Sequence, residues 1–275
     1  SSRLLRGVDE EVVARFEEAA SKQWNIVKNA GLSEIRENAD GSVTVVAKRT
    51  TENGEELLEI PADAVLVATG RRPNTDTLNA KNYFDVQDSG QLSVDKYQRV
   101  LYNGAPVPGV YALGDVSSRY QLKHVANHEA RVVQHNLSHP EDLRASDHRY
   151  VPGAVFSNPQ IAVVGMTEEQ AREAAEREGF EITVKAQNFG DTAYGWAMED
   201  KIGLCKLIAR KDNGELLGAH LVGEESSVLI QPLLQAMSFG MDARTLARGQ
   251  YWIHPALTEI VENALLGLEF DEPAN

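Results

Sequence analysis

An α/β fold followed by an α+β fold is the architecture this sequence predicts, and three observations lead to it. Ala64-Val65-Leu66-Val67-Ala68 and Val110-Tyr111-Ala112-Leu113 are short, continuous apolar runs that end in glycine-containing loops, as strands buried on both faces of an α/β sheet do. From Tyr150 onward the order reads strand, helix, three strands, then helices, which is α+β order. Between the two regions, residues 138–149 hold Pro140, Glu141, Asp142 and Asp147 with His139 and His148, a composition that marks a boundary.

The elements follow in chain order. Asp9 can cap a helix whose apolar positions Val12, Val13, Phe16, Ala19 and Ala20 keep helical spacing, and residues 24–27 then turn extended. Two hairpin-like stretches, 42–48 and 55–60, join through Glu52-Asn53-Gly54. A helix with no preceding strand is an unusual opening for an α/β domain, so further residues are expected ahead of Ser1. The run 64–68 leads into Thr69-Gly70-Arg71-Arg72-Pro73-Asn74, residues 77–106 are loop-rich with a turn at Asp88-Ser89-Gly90, and the strand at 110–113 ends at Gly114-Asp115. A helix is expected over 122–137. After the boundary come a strand at 161–164, a helix from the capping signal Thr167-Glu168-Glu169-Gln170 through Arg177, and strands at 182–186, 203–209 and 216–222. Helices over 226–239 and 255–267 close the chain, the second with Pro255 at its first helical position and Gly267 just past its end.

Composition bounds the function. The 275 residues are 42% hydrophobic and 25% charged, which excludes disorder and leaves apolar material for about two domains. No apolar run approaches the roughly 18 residues of a membrane helix, and Ser-Ser-Arg-Leu-Leu-Arg lacks the apolar core of a secretory signal, so a cytoplasmic location is expected. A formal charge of −14 argues against nucleic acid or an anionic membrane as partner. Cys205 is the only cysteine, so these residues form no internal disulfide, no Cys-x-x-Cys pair and no thiolate metal cluster.

No two glycines stand two residues apart, which excludes a Gly-x-Gly-x-x-Gly fingerprint, and Asp115-Val116 follows Gly109 to Gly114 where a P-loop needs Lys and Ser or Thr. Asp115 lies at the carboxyl end of a strand, where α/β sheets bind ligands, and its carboxylate can accept from a polyol hydroxyl or simply cap a loop. His254-Pro255-Ala256-Leu257-Thr258-Glu259 is the sharper feature. Glu259 can reach back to one imidazole nitrogen, fixing the tautomer and leaving the other nitrogen to exchange a proton, or the pair can be a capping histidine with a dipole-compensating acid. His124 and His128, like His135 and His139, sit one helical turn apart, a spacing more typical of surface histidines than of a metal site, and no metal is expected. Cys205, in a strand-like run, reads as a small buried apolar residue.

Taken together, Ala68-Thr69-Gly70-Arg71-Arg72-Pro73-Asn74, Gly109-Val110-Tyr111-Ala112-Leu113-Gly114-Asp115 and His254-Pro255 with Glu259 resemble, in order and spacing, the pyridine nucleotide-disulfide oxidoreductases. Within that family, Leu122-Lys123-His124-Val125-Ala126-Asn127-His128-Glu129-Ala130-Arg131 and the segment 254–268 are most similar to the reductases of the low-molecular-weight disulfide of actinobacteria. The resemblance covers the whole chain. It implies that residues 1–72 are the distal part of a Rossmann-like NADPH-binding domain, 73–148 the returning C-terminal part of an FAD-binding domain, and 149–275 an α+β dimerisation domain of a homodimer. It also implies that the glycine fingerprints and the redox-active cysteine pair lie outside these residues, so the chain alone is expected to be inactive.

By position, the resemblance implies that Asp115 binds the FAD ribityl chain, with Lys123 and His124 near the isoalloxazine. Gly70 and Arg71 approach the nicotinamide cofactor, and Arg6 takes the second of two arginine positions for the ribose 2′-phosphate of NADPH. His254 and Glu259 form the acid/base pair serving the thiols of the other subunit. Ala256 replaces the Thr common after His-Pro in the family, which leaves the pair itself intact. Arg131 matches a substrate-carboxylate position of glutathione reductases, and it can equally be a surface arginine paired with Glu129 or a neighbouring acid. The competing readings are a non-catalytic homodimerisation module built on 149–275, and part of a dihydrolipoamide dehydrogenase or glutathione reductase-like enzyme.

Overall fold

Asp9 accepts the Glu11 N–H at 3.1 Å and so starts helix α1, Glu10–Ala20, where the sequence placed it. The computed structural model describes residues 1–271. Three antiparallel strands follow α1: β1 (Ala30–Glu37), β2 (Val43–Thr51) and β3 (Gly54–Ala62), with β2 in the middle. The β2–β3 hairpin turns at Glu52-Asn53, as expected, whereas β1 replaces nothing the sequence announced. Residues 24–27, expected to be extended, form no strand.

The chain divides into two compact units. Ser1–Val65 folds with the segment that begins at Pro152, and Leu66–Val151 forms the other unit.

The clear departure from expectation lies at 64–68. These residues form no strand, and Leu66 and Val67 are 91% and 63% exposed. A strand buried on both faces needs a ladder neighbour, and among the described residues none pairs with this run. Strand β4 (Arg99–Tyr102) pairs with β5 (Ala105–Tyr111), and Val100 and Ala112 bury with Ala80 and Leu92 in a small core of the second unit. After a 3-10 turn at Gly114–Val116, helix α2 runs Lys123–Ser138. Asn136 ties its last turns to the following loop, donating to the carbonyls of Tyr97 and Arg144 and accepting the Arg144 N–H at 2.7 Å.

The larger sheet belongs to the first unit. It contains β6 (Gly153–Val155), β7 (Gln160–Gly165), β8 (Ile182–Asn188), β9 (Leu204–Arg210) and β10 (Leu216–Gly223), all antiparallel, in the order β6-β7-β10-β9-β8. Helix α3 (Glu168–Glu178) begins with the capping box the sequence announced, Thr167 and Gln170 bonding each other's backbone N–H, and ends at Gly179 in the left-handed region. A short helix α4 (Ala193–Ala197) precedes β9. Strands β9 and β10 are buried almost throughout, so the middle of the sheet is covered on both faces. Val12, Val13, Phe16 and Ala20 of α1 pack on Ile161, Leu204 and Val222, which pair across the three central strands. Each such fully buried side chain contributes about 1.5–3 kcal/mol, so α1 is held by the sheet rather than by its own propensity.

The single helix expected over 226–239 is two, α5 (Ser226–Leu229) and α6 (Gln231–Phe239), divided at Ile230, with Pro232 in the first turn of α6. Helix α7 (Ala243–Arg248), capped by Asp242, was not anticipated. Helix α8 is Glu259–Leu266, so Pro255 is not at its first position; it follows a cis peptide bond in the loop ahead of the helix. Among the described residues no helix is long and apolar enough to cross a membrane.

Candidate functional site

In the first unit, His254 lies in the loop between α7 and α8, with Trp252 anchoring that loop by donating from Nε1 to the Ala247 carbonyl at 3.0 Å. The His254 Nδ1 stands 2.7 Å from Glu259 Oε1. The imidazole is 68% exposed while the Glu259 side chain is only 16% exposed, so the carboxylate is the fixed member of the pair and the imidazole the open one. Glu259 is the first residue of α8, and its Oε2 also accepts the Ala256 N–H at 3.4 Å. A carboxylate only accepts here, so Nδ1 donates, and Nε2 is the nitrogen that can take or give a proton. The helix starts at Glu259, four residues beyond the expected Pro255, yet the two side chains meet as the spacing implied. Tyr251 and Ile253, beside His254 in the chain, are 103% and 74% exposed.

The second unit builds a different feature at the end of β5. Gly114 has φ +70°, a left-handed conformation that favours glycine, and a side chain there would begin 3.2 Å from the Ala126 Cβ, a tight approach. Its N–H donates to Glu129 Oε2 at 2.7 Å. The next residue, Asp115, is exposed and accepts from Arg71 Nη1 at 2.8 Å. Arg71, Arg72, Pro73, Asn74, Leu78 and Asp115 line a cleft of about 400 Å³. Gly70 is exposed at φ +124°, and Lys123 and His124 open α2 with exposed side chains.

Arg6 belongs to the first unit, exposed and donating from Nε to Ser1 Oγ at 3.2 Å. The structure thus joins His254 to Glu259 and Arg71 to Asp115.

Several side chains have roles other than those weighed for them. Glu129 is fully buried, and its second oxygen meets His148 Nε2 at 3.0 Å, so it is not Arg131's partner; Arg131 is exposed and makes no ion pair among the described residues. His128 Nε2 accepts the Asp147 N–H at 3.4 Å, and His135 and His139 stack at 4.5 Å. No group of three or more metal-ligating side chains is gathered among the described residues. Cys205 is fully buried, and burial pushes its thiol well above the ordinary range, as for a structural cysteine.

Two cluster residues escaped the sequence reading. Lys206 is buried among Glu168 Oε2 at 2.7 Å, Asp9 Oδ1 at 2.9 Å and Glu11 Oε2 at 3.3 Å, and buried His220 binds the Met166 carbonyl at 2.7 Å. Strand alternation could have flagged Lys206 only as a polar residue in an apolar run.

Residues 151–265 match the dimerisation domain of the pyridine nucleotide-disulphide oxidoreductases, and residues 1–130 match the pyridine nucleotide-disulphide oxidoreductase model. The chain belongs to this family. It is 52% identical to mycothione reductase of Mycobacterium tuberculosis over 272 residues, 97% of this chain and 55% of that protein. It is 32% identical to dihydrolipoyl dehydrogenase of Corynebacterium glutamicum over 271 residues, again 97% of this chain and 55% of the relative. Among solved structures, the Cu(II) complex of the HOCl-induced flavoprotein disulfide reductase RclA from Escherichia coli superposes with a TM-score of 0.82 at 26% identity, covering 97% of this chain and 56% of that one. The chain spans about half the length of the curated relatives it matches. The mixed α/β fold of sheets and helices expected from the sequence is therefore shared with the family and with that flavoprotein disulfide reductase.

Proposed function

We propose that this chain is the C-terminal portion of an NADPH-dependent flavoprotein disulfide reductase that reduces mycothione to mycothiol as a cytoplasmic homodimer. The observation that carries the reading is the 2.7 Å hydrogen bond between His254 and Glu259 in a segment of the dimerisation domain. The 52% identity to mycothione reductase supports the substrate, and the exposed Tyr251 and Ile253 beside His254 support a partner subunit there. In this reading residues 1–72 serve the NADPH domain, 73–148 the FAD domain and 149–275 the subunit interface.

The turn at Gly114–Val116 fits the polyol chain of a flavin. It offers an exposed carboxylate beside an open cleft, on a glycine whose Cβ would crowd α2. FAD, when bound, supplies two-electron transfer from NADPH towards a cysteine pair. Asp115 would accept from ribityl hydroxyls, and Lys123 and His124 would help to hold the flavin. Gly70 and Arg71 would help to hold the nicotinamide cofactor, and Arg6 would receive its 2′-phosphate. His254 takes a proton from the thiol of the cysteine pair that becomes the attacking thiolate, and hands it to the thiolate released when the disulfide substrate opens. Glu259 keeps the imidazole in the required tautomer and balances its charge while it is doubly protonated. A protonated leaving thiol does not attack back, which drives exchange forward.

The test is NADPH oxidation by the complete reductase carrying this chain, with mycothione, lipoamide and glutathione disulfide compared. A kcat/KM for mycothione at least about ten-fold above the others, a difference of about 1.4 kcal/mol, is expected. A preference for lipoamide would transfer the chain to the dihydrolipoyl dehydrogenases, to which it is 32% identical.

A further inference from the structure

We infer that Glu129, held by His148, is the positioning residue for the Asp115 turn, so that flavin affinity is set by a buried carboxylate that does not itself reach the flavin. The inference rests on the reading of Asp115 as a flavin ligand. Glu129 is on α2 and its side chain is 1% exposed. Burying a carboxylate is costly unless each oxygen is bonded, and here each oxygen has one partner: Gly114 N–H at 2.7 Å and His148 Nε2 at 3.0 Å. Because an ionised carboxylate accepts only, the imidazole carries its proton on Nε2 and donates.

The geometry gives this pairing its consequence. Gly114 immediately precedes Asp115, and its N–H is the group through which the turn is tied to α2. The left-handed φ of Gly114 sets the direction in which the backbone leaves β5, and the bond to Glu129 holds that φ in place. His148 in turn sits against Tyr120, ring centres 5.6 Å apart, and against His128 at 6.4 Å, so it is wedged between α2 and the loop that enters it. The residue just after the linker's acidic stretch therefore sets the aim of Asp115 through one buried carboxylate.

The experiment uses the complete reductase, stripped of flavin and titrated with FAD, with apo-protein Tm, FAD Kd and the KM for disulfide all measured. Glu129→Gln keeps an oxygen for the Gly114 N–H and is expected to bind FAD within about three-fold of wild type. His148→Ala, at a side chain 28% exposed and so tolerant of change, is expected to weaken FAD at least about five-fold with KM unmoved. Glu129→Ala strands the buried N–H and is expected to weaken FAD at least about ten-fold. Should Glu129→Ala fail to fold, the other two variants decide. FAD binding by His148→Ala within about two-fold of wild type overturns the inference, as does Glu129→Gln losing FAD about as badly as Glu129→Ala. Asp115→Ala separates the two claims. If it binds FAD normally, the flavin reading of the turn falls; if it loses FAD while the Glu129 and His148 variants keep it, only the positioning inference falls.

Discussion

Replacing Asp9 by Ala tests how the first unit is held together, because one carboxylate there caps two helices and balances a buried lysine. Asp9 is 2% exposed and accepts the Glu11 N–H at 3.1 Å, the Glu168 N–H at 3.1 Å and Lys206 Nζ at 2.9 Å. Each lost cap costs about 1 kcal/mol. Breaking a buried pair costs about 3–5 kcal/mol when the remaining charge is uncompensated, and less here because Lys206 keeps Glu168 at 2.7 Å and Glu11 at 3.3 Å. The expected loss is about 3–4 kcal/mol in all, read as a shift of the guanidinium unfolding midpoint by tryptophan fluorescence. Asp9→Asn, which can still cap, is expected to lose less. Burial opposes the Asp9 charge, but the Lys206 hydrogen bond and the Glu168 N–H outweigh it and hold the carboxyl below its ordinary 3.8. A depressed folded-state value gives stability present above the unfolded value and lost as pH falls through the folded one, so the wild-type advantage over Asp9→Ala should shrink below about pH 4. A loss under about 1 kcal/mol at neutral pH would refute the reasoning.

Other outcomes follow from the same structure. Phe16→Ala, at a side chain packed under the sheet, is expected to cost about 3–5 kcal/mol in the same unfolding assay. His220 is kept neutral chiefly by burial, against the pull of the Met166 carbonyl, so its stability contribution is present above the ordinary 6.5 and lost as pH falls below it. Unfolding measured at pH 7.5 and 5.5 should show a drop that His220→Gln flattens. The Cys205 thiol should resist a thiol-specific aromatic disulfide reagent at pH 8 in the native protein and react only at the unfolding rate, whereas fast native labelling would contradict its burial. The chain alone, purified, should be colourless in the visible and should not oxidise NADPH in the presence of a disulfide; a yellow, active sample would overturn the expectation that the chain alone is inactive.

What was legible in the sequence was whatever depended on local signals. The capping box at Thr167 to Gln170 and the apolar strands β7, β9 and β10 report their own structure, because the groups that stabilise them are within a few residues or are repeated along the strand. Strand β1 was missed because Ala30–Glu37 is exposed at nearly every position and has no apolar alternation to read. The run 64–68 misled for the opposite reason: its composition asks for cover on two faces, and the described residues supply none. At the candidate site, the spacing of His254 and Glu259 was enough to anticipate their contact, although the loop geometry that achieves it was not. Glu129 could not be recognised as the anchor of Gly114, since the two are joined only by the way α2 returns beneath the turn. Lys206 was equally hidden, because its three acidic partners come from two helices distant in sequence.

In the proposed reaction His254, held by Glu259, moves the proton of the disulfide step and nothing earlier. Rapid mixing of the complete reductase with NADPH, followed by steady-state turnover of mycothione, separates the two halves of the reaction in His254→Ala. Flavin reduction at the wild-type rate with disulfide turnover lowered by about 10²–10⁴ is the expected result. Turnover within about two-fold of wild type, or equal loss in both halves, would contradict it.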